Sequence, residues 1–170
     1  MNKYEQRFAE YQAYLKQQIA ARFPDYLSEH IENVAKFALE TIRKRNGLMS
    51  DEYAVWTIAI LHDILEDTPL SIDELRQILE DADEKYSIAA FYVDEIIDCI
   101  ETLTHDKKQL YNQYIMNIVE DYQQYNDSCT AIYAFIVKKA DMRDHFTQIE
   151  TLTPQLIEKY KPFIQYFLKE

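Results

Sequence analysis

The sequence predicts an all-α protein, folded as a single compact bundle of roughly seven to eight helices. The 170-residue chain has one glycine and four prolines, which is few for the tight, positive-φ turns that sheets require. Hydrophobic residues make up 48% of the chain and aromatic residues 14%, enough to build a core. The apolar residues recur every three or four positions along most of the chain, as on one face of a helix. The length suits one domain over residues 1–170.

Three helices are predicted in the N-terminal part of the chain. Ser28 is the expected N-cap of the second helix, and Gly47 is expected to stop it. Ser50–Glu52 begins a third helix that is apolar on nearly every side and is expected to continue to the turn at Glu66–Pro69. The apolar residues that predict the first helix are Tyr4, Phe8, Tyr11, Leu15 and Ile19.

The middle of the chain predicts two further helices. Ser71 and Glu74 form a capping box for a short fourth helix that ends at about Leu79. The acidic residues over 81–84 then predict a solvated connector. A helical pattern returns over Ile88–Leu103.

The C-terminal part predicts a polar loop and three more helices. The loop is Thr104–Lys108, and the apolar spacing over Leu110–Tyr122 predicts the next helix. The run Ala131–Val137 alone fits either a strand or a buried helix. Its continuation into Lys138–Asp141 and the shortage of glycine favour a buried helix. Thr153–Phe167 carries the last amphipathic pattern and opens on a proline.

The charge balance excludes several function classes. A net charge of −12, from 30 acidic and 18 basic residues, argues against binding to nucleic acid or to an anionic membrane. It leaves room for a phosphorylated small molecule, because a divalent cation can invert the local potential. Cys99 and Cys129 provide no disulfide framework, and no signal or membrane-spanning segment is evident. The expectation is therefore a cytoplasmic protein. The N-terminal aromatic stripe fits core packing or a homodimer interface, and both stay open.

The stretch Ala59–Thr68 is the first candidate for a site. An apolar run leads directly into His62 and Asp63, and Glu66 and Asp67 follow one turn later. Burying so many ionisable groups is costly unless they are paired or bind a metal. With His30 and Asp141, the His-Asp pair forms a nitrogen and oxygen set suited to Mn, Fe or Zn. The alternative to a metal site is that these residues are core histidines and capping aspartates. It stays open because sequence spacing alone cannot show that residues from three helices converge.

The ordered set His30, His62-Asp63 and Asp141 resembles the HD-domain metal-dependent phosphohydrolase superfamily. Within it, Leu61–Thr68 resembles the motif of the alarmone hydrolases, which remove the 3′-pyrophosphate of guanosine penta- and tetraphosphate. The resemblance covers about residues 28–146. It implies one divalent metal ion, with Mn preferred and Fe, Zn, Co, Ni or Mg as alternatives. The implied ligands are His30, His62, Asp63 and Asp141.

The same resemblance implies Glu66 and Asp67 as catalytic residues that activate water or move protons. A solvated helix end is the alternative reading of this pair. The candidate substrate contacts are Tyr114, Lys138, Lys139, Arg143 and His145. His145 stands where the alarmone hydrolases usually have an asparagine, and only Arg22 stands near their arginine-rich segment. Both departures leave the guanosine substrate open.

The expected function is hydrolysis of a phosphorylated nucleotide, with guanosine 3′-pyrophosphate alarmones as one substrate class. A nucleoside monophosphate phosphatase of the same superfamily is the first alternative. The second is a catalytically silent HD module that binds a nucleotide or a partner protein.

Overall fold

A computed structural model describes residues 2–86, 93–148 and 152–167. Eight helices of seven residues or more occur in this part of the chain, and none of its residues forms a strand, which confirms the predicted all-α class. A 3₁₀ turn at Lys161–Phe163 separates the last two helices. The helices are α1 (Lys3–Arg22), α2 (Glu29–Lys44), α3 (Met49–Leu61), α4 (Ile64–Asp67), α5 (Ile72–Tyr86), α6 (Val93–Leu103), α7 (Tyr111–Gln124), α8 (Cys129–Thr147), α9 (Pro154–Tyr160) and α10 (Ile164–Phe167).

Helix α8 lies at the centre of the bundle and packs against α2, α3, α6 and α7. The run over 133–137 is buried, so the prediction of a buried helix is confirmed. Lys138, Asp141 and Asp144 continue this helix and are buried as well. Charged groups removed from water need close partners. The partners of these three side chains are part of the site described below.

Helix α2 ends in a motif of backbone hydrogen bonds, in which Gly47 does not have the predicted conformation. Asn46, and not Gly47, adopts the left-handed conformation, with φ of 56°. The N–H of Asn46 donates to the carbonyl of Arg43, and the N–H of Gly47 donates to that of Ile42, both at 3.1 Å. This is the Schellman arrangement. Gly47 is suited to its position because a Cβ there would lie 2.7 Å from Cγ1 of Ile42.

The prediction that the third helix continues unbroken to the turn at Glu66–Pro69 is wrong. Helix α3 ends at Leu61, and His62-Asp63 forms a break before the single turn of α4. Two side chains bond the last carbonyls of α3: Nδ1 of His62 donates to Ala59, and the Tyr26 hydroxyl donates to Ile60. Carbonyls at a helix end need such partners. The break is therefore built by the residues of the site.

Two other boundaries differ from the predictions. Helix α5 extends to Tyr86, so residues 81–84 are helical, because buried Ala82 continues its inner face. The last predicted helix is interrupted at Pro162, a residue that cannot supply a helical N–H. The part of the predicted fifth helix over 88–92 lies outside the described residues. Among the described helices, none is both long and apolar enough to span a membrane.

Candidate metal centre

Three separate segments bring the four predicted ligands together. His30 stands in the first turn of α2, whose N-cap Ser28 accepts from the N–H of Ile31. Nε2 of His30 lies 3.4 Å from Oδ1 of Asp141 on α8. The ring centroids of His30 and His62 are 5.6 Å apart. His30 is therefore adjacent to Asp141 and to His62, and the binding of one ion by all four residues stays a prediction.

Two pairs of these atoms have a spacing that suits adjacent ligands of one ion. With metal–ligand bonds of about 2.0–2.2 Å, adjacent ligand atoms lie about 3.0–3.5 Å apart. The measured separations are 3.4 Å for His30 and Asp141, and 3.1 Å between Nε2 of His62 and Oδ2 of Asp63. Two sets of three residues each offer ligand atoms within 4.8 Å of one another: His30, His62 and Asp63 form one set, and His30, Asp141 and His145 form the other. Because a ring nitrogen has one lone pair to offer, His30 can serve a single ion.

His62 is held with one nitrogen directed into the cluster. Its Nδ1 donates to the carbonyl of Ala59 at 2.8 Å, which leaves Nε2 with the lone pair. Nε2 is buried without a hydrogen-bond partner among the described residues, although Asp63 lies close. Burial lowers the pKa of His62, but the carboxylates of Asp63 and Asp141 raise it by more. The carboxylates of the cluster therefore favour a positive charge, such as a bound cation, beside Nε2 of His62.

Asp144 orients His30, and the sequence argument missed it. Its Oδ2 lies 2.7 Å from Nδ1 of His30, which points Nε2 of that ring toward Asp141. Carboxylate partners of this kind commonly fix the orientation of metal-binding histidines. Asp144 is 1% exposed. The available signal was its position three residues after Asp141, on the same side of a helix.

Lys138 forms a buried ion pair with Asp141, at 2.8 Å between Nζ and Oδ2. Burial alone would raise the pKa of Asp141, but the ammonium of Lys138 and the neighbouring imidazole of His145 hold it well below its usual range. The ammonium also lies 5.3 Å from the centre of the Tyr114 ring. The structure thus places two predicted substrate contacts, Lys138 and Tyr114, beside the cluster.

Two other predicted contacts lie elsewhere. Arg143 pairs with Glu40 at 3.2 Å and covers the ring of Phe37 at 3.9 Å, so it faces α2. Among the described residues that line the cavities flanking the cluster, neither Arg143 nor Lys139 is found. Their predicted role in phosphate binding is not supported by this placement.

Two cavities flank the cluster, and Asp63 borders both. The smaller has a volume of about 160 Å³ and the larger about 540 Å³. The predicted catalytic pair is divided between them, because Glu66 lines the smaller and Asp67 the larger. Residues that line the smaller cavity include Tyr114, Lys138, Asp141 and Lys159. Residues that line the larger cavity include Arg22, Phe23, Tyr26 and His30.

The two predicted catalytic carboxylates differ in environment. Oε1 of Glu66 accepts the backbone N–H of His105 at 2.8 Å, which fixes this exposed side chain at the mouth of the smaller cavity. Partial burial and the neighbouring charge of Asp63 raise the pKa of Asp67. Each carboxylate lines a cavity that Asp63 also borders.

Helix α9 contributes two residues that sequence reasoning did not identify. Tyr160 is buried and stacks on His145 with ring centroids 5.3 Å apart. Nζ of Lys159 lies 3.9 Å from the centre of the Tyr111 ring. Among the described residues, no carboxylate lies within 4.0 Å of this ammonium. Because α9 reaches the site only through tertiary packing, no motif marks these residues.

One comparison with known proteins identifies a family. A family model described as HD domain matches residues 27–144, more than half of the chain. The matched range includes the four predicted ligands and Asp144, and it stops before His145 and α9. Neither the curated proteins nor the solved structures include a significant match to this chain.

Proposed function

The chain belongs to the HD domain family, and on that premise we propose that it is a metal-dependent phosphohydrolase acting on a phosphorylated nucleotide. HD domains generally belong to metal-dependent hydrolases. The observation that carries the proposal is the largely buried cluster in which Nε2 of His62, which has no hydrogen-bond partner, lies beside Asp63, while His30 lies beside Asp141 and Asp141 pairs with buried Lys138. Such a set of nitrogen and oxygen atoms suits a divalent transition metal.

The roles of the side chains follow from their positions. We assign His30, His62, Asp63 and Asp141 as ligands, with Mn as the expected ion. A bound divalent ion supplies a water of lowered pKa and offsets charge on a phosphoryl oxygen. Lys138, already held at 2.8 Å from Asp141, is placed to pair with a phosphoryl oxygen. Glu66 borders the same cavity and is placed to accept the proton of the attacking water.

The two cavities support a nucleotide as the substrate class. The larger one, at about 540 Å³, is in the usual range for small-molecule sites. Its lining includes Phe23, Tyr26 and Arg22, residue types that stack on or pair with a nucleoside. The smaller cavity presents Lys138 and Lys159 and suits phosphoryl groups. Guanosine 3′-pyrophosphate alarmones are the finer form of this proposal and rest on the motif at 61–68.

A nucleotide panel tests the function directly. The purified full chain is analysed for metal, loaded with Mn²⁺, and assayed on nucleoside monophosphates, triphosphates and guanosine 3′-pyrophosphates. Released phosphate and pyrophosphate are measured separately. Hydrolysis of monophosphates alone would identify a nucleotide phosphatase. Bound metal with no hydrolysis of any nucleotide would contradict the proposal and favour a silent binding module.

We expect Asp144→Asn to weaken divalent-metal binding by about 10–100-fold, the usual effect of losing a group that orients a metal ligand. In the wild type, the Asp144 carboxylate lies 2.7 Å from Nδ1 of His30. A neutral amide holds the Nδ1 proton less strongly, so the ring is less firmly oriented. Isothermal titration with Mn²⁺ measures the change. Asp127→Asn, the same substitution at an exposed position, is the control. Equal affinities for the two variants would remove Asp144 from the site.

We expect Lys159→Met to lower kcat/KM for the preferred nucleotide by about 10–100-fold, because a charge-assisted hydrogen bond contributes about 1.5–3 kcal/mol. Metal affinity should not change, since Lys159 is not among the assigned ligands. Lys161→Met is the matched control: this lysine is two residues away, is exposed, and pairs with Glu158 at 3.5 Å. If both variants behave alike, Lys159 does not contact the substrate.

A further inference from the structure

His145 lies in direct contact with Asp141, one of the assigned ligands. Its Nε2 is 3.1 Å from Oδ1 of Asp141, the same oxygen that lies 3.4 Å from Nε2 of His30. One atom from each of His30, Asp141 and His145 can be chosen so that all lie within 4.8 Å of one another. The separation of 3.1 Å falls in the range of about 3.0–3.5 Å for adjacent ligands of one ion.

The orientation of the His145 ring is fixed on both faces. It stacks on His30 on one side, with centroids 4.8 Å apart and planes 29° apart. Buried Tyr160 stacks on it from α9, with centroids 5.3 Å apart and planes 22° apart. A ring held between two others cannot turn its edge freely. The stack restrains the tilt of the ring, and Nε2 is the nitrogen that lies beside Asp141.

Helix geometry supports shared binding by Asp141 and His145. The two residues are four apart on α8, which places their side chains on one face, one turn apart. The same spacing lets two histidines of an H-E-x-x-H helix bind one zinc ion. Asp141 therefore has, on its own helix, a partner in the position of a second chelating residue.

We propose that His145 is a fifth ligand of the divalent ion, in addition to His30, His62, Asp63 and Asp141. This inference rests on the metal site of the proposed function and extends it beyond the matched family range. Three imidazoles and two carboxylates form a set richer in nitrogen than four ligands alone. Imidazole favours Zn, Fe and Ni, whereas carboxylates and water suit Mg. His145 thus shifts the metal preference of the site toward the later transition metals.

The test compares metal binding by full-chain variants. His145→Phe keeps an aromatic ring between His30 and Tyr160 but removes the ligand nitrogen, and His145→Asn is a second variant in case the first does not fold. Each is titrated with Co²⁺ and with Mg²⁺, and the visible absorption of the Co²⁺ protein is recorded. We expect Co²⁺ affinity to fall at least about tenfold with a changed spectrum, and Mg²⁺ affinity to change much less.

The control is His105→Phe. His105 borders the same cavity, but its Nε2 donates to the carbonyl of Gln109, so Co²⁺ affinity should stay at the wild-type value. Wild-type affinity and spectrum in both His145 variants would overturn the inference, and a raised KM would then make His145 a substrate contact. A wild-type protein that binds no Co²⁺ would overturn it as well. Co²⁺ binding through His145 with no nucleotide hydrolysis would instead refute only the proposed function.

Discussion

Asp63→Asn is expected to abolish both divalent-metal binding and nucleotide hydrolysis. Oδ2 of Asp63 lies 3.1 Å from Nε2 of His62, and the side chain borders both cavities. Burial raises the pKa of Asp63, but His62 lowers it by more, so the carboxyl is ionised near neutral pH. A carboxamide is neutral and has one oxygen to offer. The substitution therefore removes a charge and a ligand at the centre of the cluster.

Metal content after dialysis and hydrolysis of the preferred nucleotide are measured together for this variant. Far-UV circular dichroism and thermal unfolding show whether the helices remain, because Asp63 also occupies the turn between α3 and α4. Asp127→Asn again provides the exposed control. A folded Asp63→Asn protein that keeps its metal would contradict the ligand assignment. One that keeps its metal and its activity would remove Asp63 from the site altogether.

The helices could largely be predicted from the sequence because their signals are local. Ser28 and the capping box at Ser71 and Glu74 cap helices as expected, and the last helix opens at Pro154 as expected. These are contacts between residues that are close in the chain. The run over 131–137 was ambiguous by periodicity, and the packing of α8 against several other helices explains why the run is apolar on every side. Local patterns of this kind report secondary structure well.

The errors arise where distant residues decide a local structure. Helix α3 stops at Leu61, where the Tyr26 hydroxyl bonds the carbonyl of Ile60, 34 residues further along the chain, and His62 bonds that of Ala59. Ala82 extends α5 because it finds a buried surface to pack against. Neither Tyr26 as a partner of α3 nor the surface that buries Ala82 can be identified from a pattern within a single helix. Boundaries set by tertiary contacts are therefore the least predictable.

The candidate site divides in the same way. Its four predicted ligands were recognised by residue type and order, and the fold places them together. Asp144 had a weak signal, since its helical spacing from Asp141 was visible without its contact to His30. Lys159 and Tyr160 had none, because α9 follows the matched family range and reaches the cavity only through packing. Side chains from outside a motif need a structure to be found.

Glu66→Gln is expected to lower turnover by about 10²–10⁴-fold, the range for loss of a general acid or base, while metal content stays near the wild-type value. Glu66 borders the smaller cavity with Lys138 and Lys159, where the phosphoryl group is proposed to bind. Its Oε1 accepts the N–H of His105, so Oε2 is the oxygen placed to take a proton. Glutamine preserves the size and the hydrogen bond to His105 but cannot accept that proton.

Asp67→Asn is the matched comparison, because Asp67 is adjacent in sequence but lines the larger cavity. We expect it to raise KM more than it lowers kcat, since its carboxylate faces the proposed nucleoside side of the cluster. Single-turnover kinetics with metal analysis on each variant separate these effects. Loss of metal from Glu66→Gln as severe as from Asp63→Asn would make Glu66 a ligand. A larger fall in kcat for Asp67→Asn than for Glu66→Gln would exchange the two roles, and proton transfer would then take place on the side of the larger cavity.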